Sequence, residues 1–188
     1  MNNFIFIVGG ARSGKSDYAV GLAKGLGEEV FFIATAVAFD EEMRQRIKLH
    51  KKSRPRGWKT IEEQKDISLA LSLVKGKNKV VLIDCMGLFV FNLMAEGLDA
   101  GKIESKIKNL VNTISESGHI VILVSNDVGS GIVPENLLAR KFRDLLGRAN
   151  QIAAKKADKV IFMQCGIPVI VKDVRGQRTE DRRQYPKN

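Results

Sequence analysis

The sequence predicts an α/β fold in which a mostly parallel β-sheet is covered by helices on both faces. Hydrophobic runs of strand length alternate along the chain with segments of helical period, and this alternation is typical of βαβ units. A glycine-rich loop joins the first predicted strand to the first predicted helix. The chain has 188 residues, 44% of them hydrophobic, which suffices for one domain with a buried core.

The individual elements follow from the hydrophobic pattern. Apolar runs predict strands at 4–8, 30–35, 58–61, 79–84, 119–125, 159–164 and 167–172. Helical spacing predicts helices at 15–26, 40–52, 66–74, 87–96, 101–117 and 135–156. The last strand is a candidate antiparallel edge strand. We place the catalytic domain at 1–172 and a polar, mobile tail at 173–188, because the tail is charged and lacks an apolar pattern.

The longest predicted helix has a start signal and an apolar stripe. Pro134 and Glu135 suit its first turn, since proline is tolerated there and an acid favours the helix dipole. The apolar residues at spacings of three and four predict the buried stripe: Leu138, Phe142, Leu145, Ala149 and Ile152.

Composition limits the class of protein. The net charge is +10, which suits an anionic partner such as a polyphosphate substrate. The basic residues are spread along the chain without interleaved aromatic residues, so we predict no nucleic-acid binding. The longest apolar stretch, 85–95, is short and interrupted by Asn92, so no membrane insertion is expected. Cys85 and Cys165 lack C-x-x-C spacing, and we interpret them as reduced core thiols of a cytoplasmic protein.

A complete G-x-x-x-x-G-K-[ST] phosphate-binding loop follows the first apolar run and precedes a helix. Its backbone N–H groups can surround phosphates, Lys15 can reach the β- and γ-phosphates, and Ser16 can ligate Mg²⁺. The loop consists of Gly9, Gly10, Ala11, Arg12, Ser13, Gly14, Lys15 and Ser16. The sequence therefore predicts a nucleotide-binding protein with a fold of the P-loop NTPase type (RecA-like).

An acidic residue, Asp84, ends the apolar strand 79–84. In P-loop proteins a strand beside the loop carries an acid that orients magnesium, directly or through water. Ser16 and Asp84 are therefore the candidate metal ligands. The alternative is an ordinary aspartate in a turn at the end of a strand.

A histidine with basic neighbours, His50, lies in the predicted helix 40–52. Asp40 is a plausible N-cap of this helix, and Met43 and Ile47 lie on the same side as His50. The basic neighbours are Arg46, Lys48, Lys51, Lys52 and Arg54. Such charges keep an imidazole neutral near pH 7 and attract phosphate, which makes the ring nitrogen a candidate nucleophile. The alternative is a packed or surface histidine.

A second glycine-rich segment, 125–136, links a predicted strand to the longest helix. Ligands of open parallel sheets bind at the carboxyl ends of the strands. We therefore expect this segment to open onto the same crevice as the phosphate-binding loop, although an ordinary strand–helix connection would have the same pattern.

Together these stretches resemble the bifunctional adenosylcobinamide kinase/adenosylcobinamide-phosphate guanylyltransferases of cobalamin assembly. The similar stretches occur in the family's order: GGARSGKS (9–16), IATA (33–36), DEEMRQRIKLHKKSRP (40–55) followed by Trp58, LIDC (82–85), NDVGSGIVPEN (126–136), ARKFRDLLGRANQ (139–151) and CGIPVIVK (165–172). Two positions depart from the family pattern, since Asp127 stands in place of glutamate and Cys165 in place of serine.

The resemblance implies an activity and a set of site residues. ATP or GTP would phosphorylate adenosylcobinamide, and GMP from GTP would then pass through a guanylyl-histidine at His50 to adenosylcobinamide phosphate, giving adenosylcobinamide-GDP. Further nucleotide contacts would come from Ala34, Thr35, Ala36, Lys51, Lys52, Ser53, Arg54, Glu62 and Asp84. The family also implies a homo-oligomer, with a trimer expected.

Two other functions are compatible with the residues. One is a different P-loop small-molecule kinase that forms no covalent intermediate. The other is a nucleotide-dependent nucleic-acid-binding module that uses the +10 charge.

Overall fold

The computed structural model describes residues 3–38 and 40–174, without the side chains of Arg46, His50, Lys52 and Ser53. The described strands are β1 (Phe4–Gly9), β2 (Val30–Ala34), β3 (Lys59–Glu62), β4 (Val80–Asp84), β5 (Ile120–Asn126), β6 (Lys159–Gln164) and β7 (Ile167–Asp173). The helices are α1 (Lys15–Leu26), α2 (Glu41–Ser53), α3 (Ile67–Ser72), α4 (Met86–Ala95), α5 (Ala100–Glu116) and α6 (Leu137–Lys156). Each corresponds to a predicted element.

The strands form one sheet with the order β3-β2-β4-β5-β1-β6-β7. Neighbouring strands are parallel from β3 through β6, and only β6 and β7 pair antiparallel. The α/β prediction, including the antiparallel edge strand, is confirmed. The parallel strands bring the carboxyl ends of β1, β2, β4 and β5 to one edge of the sheet.

Both faces of the sheet are buried. Alternate residues of β1 point to opposite faces: Phe4 and Phe6 pack with α3 to α6, whereas Ile5 and Ile7 pack with α1. The central strands are apolar throughout for this reason, as expected of parallel strands covered on both sides. In the described part of the chain, no helix is long and apolar enough to span a membrane.

Helix α6 begins two residues later than predicted. Asn136 caps the helix, because its Oδ1 accepts a hydrogen bond from Ala139 N at 3.0 Å. Pro134 and Glu135 therefore precede the helix. The predicted stripe is wrong at Leu138, which is 56% exposed, and the fully buried positions are Leu146, Ala149 and Ala153. Phe142, Leu145 and Ile152 pack partly buried against the core.

The last strand continues past the predicted domain boundary. Asp173 pairs with Lys159, with 3.2 Å between its Oδ2 and the lysine Nζ. Val174 N donates to Asp158 O at 2.9 Å. The sheet thus includes Asp173, and the chain stays attached to it through Val174. Residues 175–188 of the predicted tail lie outside the described residues.

The two cysteines differ in burial. Cys85 is buried as predicted, but Cys165 is exposed, so the prediction of a core thiol is wrong there. Cys165 and Gly166 form the two-residue turn between β6 and β7, with φ angles of 51° and 81°. Two consecutive positive φ angles are what a type I′ hairpin turn requires. The gap between the predicted strands, 159–164 and 167–172, coincides with this turn.

These positions predict different reactivity of the two thiols. Burial raises the pKa of Cys85 to about 12, and the neighbouring Asp84 adds to the shift. We expect iodoacetamide to alkylate Cys165 in the native protein and Cys85 only after unfolding, because the thiolate is the reactive form. Peptide mass spectrometry measures both sites, with Cys165→Ser as the control. Equal rates at the two sites in native protein would contradict the prediction.

Candidate active site

The phosphate-binding loop connects β1 to α1 at the carboxyl edge of the sheet. Gly9 is tightly enclosed, since a Cβ there would lie 2.5 Å from Met163 O. Gly14, which precedes the helix, has a φ of 85°, a conformation that glycine adopts without strain. Gly166 N donates to Ser13 O at 3.1 Å, so the β6–β7 turn supports the loop from outside. The backbone thus holds the loop in a defined conformation.

Lys15 lies beneath this loop and is only 8% exposed. Its Nζ donates to Gly10 O at 2.8 Å. Burial lowers the pKa of Lys15 below its ordinary value, and the negative charge of Asp84 opposes that shift. A cation in such a partly dehydrated position interacts more strongly with phosphate than one in water.

Asp84 is the last residue of β4 and lies close to two other residues of the candidate site, Lys15 and Arg54. It is opposite Ala34 of β2 and Val124 of β5 in the strand register. Its side chain is half-buried, and its charge acts on both Lys15 and Arg54. The structure therefore brings the predicted acid close to the predicted phosphate-binding lysine.

Thr35 fixes the end of β2 to the end of β4. Its Oγ1 donates to Cys85 O at 2.8 Å and accepts from Cys85 N at 2.7 Å, while Thr35 N donates to Asp84 O at 3.2 Å. Thr35 is fully buried, and Ala34 is 6% exposed. Ala36, just beyond, is half-buried. These contacts hold Asp84 in place at the carboxyl edge.

Asn92, whose role no sequence pattern indicated, completes this arrangement. Asn92 lies in α4 and is 4% exposed. Its Nδ2 donates to Thr35 O at 2.9 Å and to Gln64 O at 3.1 Å, so it ties β2 to the segment after β3. In the sequence, Asn92 stands out only as a single amide within an apolar helix, and this pattern does not indicate which residues the amide binds.

Helix α2 and strand β3 form the other side of the candidate site. The Arg54 guanidinium carbon lies 3.8 Å from the centroid of the Phe32 ring, and Lys51 pairs with Glu62. Burial lowers the pKa of Arg54, and the charges of Asp84 and Glu62 oppose the shift. A cavity of about 490 Å³, which we call the cationic cavity, is lined by Lys51, Arg54, Pro55, Arg56, Thr60 and Glu62.

Three buried polar atoms of the candidate site have no hydrogen-bond partner among the described residues. Among the described residues, the buried side-chain atoms in this state are Ser13 Oγ, Arg54 Nε and Asn92 Oδ1. Such atoms are rare in folded proteins and are often explained by a function. Ser13 and Arg54 were both predicted to contact nucleotide, and an anionic ligand would accept hydrogen bonds from both.

The structure places His50 in the last turn of α2, but its side chain lies outside the described residues, as do those of Lys52 and Ser53. Asp40 caps this helix, with its Oδ1 accepting from Met43 N at 2.7 Å, as predicted. The roles of the predicted site residues, including the covalent role of His50, stay predictions. Within the described ranges, no group of three or more His, Cys, Asp and Glu side chains could hold a metal alone.

The sheet order, the P-loop and the buried lysine define the class of a P-loop nucleotide-binding protein. The fold is also that of the solved RadB recombinase, with a TM-score of 0.51 and 13% identity, covering 86% of this chain and 74% of that one. That likeness concerns the fold alone.

Sequence comparison gives the family. The family described as cobinamide kinase / cobinamide phosphate guanyltransferase matches residues 5–171. The bifunctional adenosylcobalamin biosynthesis protein CobU of Escherichia coli is 38% identical over 89% of this chain and 99% of its own length. CobP of Pseudomonas aeruginosa, which carries the same description, is 37% identical over 88% of this chain and 95% of its own. The chain belongs to the cobinamide kinase / cobinamide phosphate guanyltransferase family.

Proposed function

We propose that this enzyme catalyses two successive reactions of cobalamin biosynthesis. In the first, ATP or GTP phosphorylates the aminopropanol hydroxyl of adenosylcobinamide. In the second, GMP from GTP is transferred to adenosylcobinamide phosphate, giving adenosylcobinamide-GDP. The observation that carries the proposal is membership of the family over residues 5–171, and the geometry of the P-loop supports it.

The P-loop supports the kinase reaction. Phosphoryl transfer needs positioning and charge stabilisation more than covalent help. Lys15 supplies a buried cation, and the backbone N–H groups of the loop, together with Ser13 Oγ, supply donors for phosphate oxygens.

We propose that Mg²⁺ assists the kinase reaction. The hydroxyl of Ser16 and the carboxylate of Asp84 are oxygen ligands of the kind that Mg²⁺ prefers, and Mg²⁺ is usually held by one or two carboxylates together with substrate phosphates. When bound, the ion would neutralise charge on the phosphates.

We assign the guanylyl transfer to His50, which lies in the last turn of α2. A His50 ring nitrogen attacks the α-phosphate of GTP, forming a P–N bond while pyrophosphate leaves. A phosphate oxygen of adenosylcobinamide phosphate then attacks the same phosphorus, and the histidine is released. Such a covalent intermediate divides one difficult transfer into two easier ones.

The cationic cavity favours the anions of this second reaction. Lys51, Arg54 and Arg56 line it against the single carboxylate of Glu62. Lys51 directly follows His50, so this charge lies next to the proposed nucleophile in the chain. Excess positive charge concentrates anionic substrates and stabilises the pyrophosphate that leaves.

We also propose that the protein forms a homo-oligomer, with a trimer expected. Several apolar side chains of the edge strand β7 are exposed, including Ile167 at 64%, Ile170 at 59% and Val171 at 60%. Exposed apolar edge strands are commonly covered by another chain. The cytoplasmic location stays a prediction.

Covalent labelling tests the guanylyl-transfer half. We expect native protein incubated with GTP labelled in its α-phosphate to retain the label after denaturation, through an acid-labile and alkali-stable bond, since a phosphorus–nitrogen bond has those properties. His50→Ala is expected to retain none. GTP labelled in its γ-phosphate is the matched control, because that phosphate leaves with pyrophosphate.

Three results would contradict the proposal in different ways. If native protein phosphorylates adenosylcobinamide but takes up no α-label, it is a P-loop kinase without the covalent intermediate. If the label persists in His50→Ala, another residue is the nucleophile. If adenosylcobinamide is not phosphorylated, the kinase half fails.

A further inference from the structure

A second cavity, of about 570 Å³, lies outside the site described above. We call it the α6 groove. One wall is the segment 127–136 that follows β5, contributing Gly129, Gly131 and Val133, and the other is α6, contributing Arg143, Gly147 and Gln151. Its volume is within the range of about 300–1,000 Å³ that is usual for small-molecule sites.

The loop wall is a built structure that starts at the P-loop. Asp127 N donates to Gly9 O at 2.9 Å. The Asp127 carboxylate then accepts from Gly129 N at 3.0 Å and from Ser130 Oγ at 2.7 Å. At the other end, Arg140 Nη1 donates to Pro134 O at 2.9 Å. The groove therefore has one wall joined directly to the first glycine of the phosphate-binding loop.

The helix wall is fixed to the same edge of the sheet. Asn150 of α6 accepts a hydrogen bond from Ser125 Oγ at 2.6 Å through its Oδ1, and its Nδ2 donates to Asn126 O at 3.0 Å. Both walls are thus anchored at the end of β5, which pairs with β1 through Gly9 and Asn126. Both walls are therefore fixed in position relative to the P-loop, and a ligand bound between them would be as well.

Charge distinguishes the α6 groove from the cationic cavity. The groove is lined by Arg143, Arg148 and Asp144. Arg148 is paired with Glu104 at 3.0 Å, and Arg143 Nε lies 3.8 Å from Asp144 Oδ1. The lining therefore carries one net positive charge, which the neighbouring Glu104 offsets, in a chain of net charge +10. It offers both donors and acceptors, which suits a polar ligand without phosphate groups.

Gly147 keeps the floor of the groove open. A Cβ at this position would meet nothing within 4 Å, so no internal packing requires glycine there. Glycine in the middle of a helix is destabilising by about 0.5–1 kcal/mol relative to alanine. Val133, which lines the groove, is 58% exposed, and its neighbour in the chain, Ile132, is 96% exposed. Apolar side chains at the edge of the groove, opposite a position that has no side chain, leave room for a broad ligand.

We propose that the α6 groove binds the corrin macrocycle of the acceptor substrate. This inference rests on the proposed function. The corrin periphery carries carboxamide groups, for which Arg143, Asp144 and Gln151 supply complementary donors and acceptors, and methyl groups, which contact Ile132 and Val133. The cationic cavity and P-loop hold the nucleotide, and the groove holds the uncharged periphery of its reaction partner.

Substitution of Gly147 tests this site. In Gly147→Leu the new side chain occupies the floor of the groove, and we expect the Kd for adenosylcobinamide to rise at least about tenfold. Equilibrium dialysis, with the corrin absorbance as the signal, measures this Kd. The KM for GTP is expected to change less than about twofold, since the substitution leaves the P-loop and the cationic cavity untouched.

Gly21→Leu is the matched control. Gly21 is an exposed glycine in the interior of α1, and its Cβ would also meet nothing within 4 Å. Both variants exchange a helix glycine for a good helix former. We expect Gly21→Leu to bind adenosylcobinamide like the native protein.

Three outcomes would overturn the inference. In the first, Gly147→Leu binds adenosylcobinamide with the native Kd, and the proposed function still stands. In the second, light scattering shows that Gly147→Leu has a smaller assembly mass, which assigns the groove to a subunit contact. In the third, native protein neither binds nor phosphorylates adenosylcobinamide, and the inference then fails together with the proposed function.

Discussion

Replacing Lys15 by alanine is expected to lower kcat/KM of the kinase reaction by at least about 100-fold, as for removal of a preorganised donor to transition-state charge. Lys15 is buried, and its Nζ is fixed by Gly10 O at 2.8 Å. No reorganisation is therefore needed when charge develops on the transferred phosphate. If one loop serves both reactions, labelling by α-phosphate-labelled GTP falls as well.

Steady-state kinetics with adenosylcobinamide and single-turnover labelling measure the two effects of Lys15→Ala. Lys24→Ala is the control, because Lys24 is an exposed lysine in the last turn of the same helix. It should retain activity within about a factor of two. A kinase loss below about tenfold in Lys15→Ala would show that the transferred phosphate does not lie in this loop.

Replacing Asn92 by alanine is expected to lower the free energy of unfolding by about 2–4 kcal/mol. The substitution removes the donors to Thr35 O, which is buried, and to Gln64 O, which is partly buried. A buried carbonyl without a donor costs about 1–3 kcal/mol. Since Thr35 also binds Cys85 and Asp84, we expect kcat of the kinase reaction to fall as well.

Urea denaturation at equilibrium measures the change in stability for Asn92→Ala. The control is Asn109→Ala, because the exposed Asn109 makes a single side-chain hydrogen bond, to Ser68 Oγ at 3.2 Å. Its expected change is within about 0.5 kcal/mol. An Asn92→Ala loss as small as that of Asn109→Ala would mean that water or backbone relaxation replaces the lost bonds.

The fold could be predicted because its main determinants are local in sequence. The apolar runs of β1, β4 and β5 are continuous, as burial on both faces of a sheet requires. The P-loop pattern predicted that the first strand leads directly into the loop and that a helix follows the loop. Where two local signals competed, the predicted boundary of the element was wrong. Helix α6 starts after its Asn136 cap and not at the predicted first turn with Pro134.

The candidate site could be predicted only in part. Lys15 and Asp84 were predicted from a motif and from the end of a strand, whereas Glu62 was predicted only from the family resemblance. Asn92 and Thr35 act through bonds between residues about fifty positions apart in the chain. Such pairings depend on strand order, which hydrophobic periodicity does not encode.

The position of β1 in the sheet determines when the P-loop can be completed during synthesis. The strand lies between β5 and β6, and the loop after it contacts Met163 and Gly166. These partners are more than a hundred residues further along the chain, so the ribosome makes them well after the loop. Contacts of such high sequence separation form slowly and late. The nucleotide-binding segment is thus translated long before the residues that complete its set of neighbours.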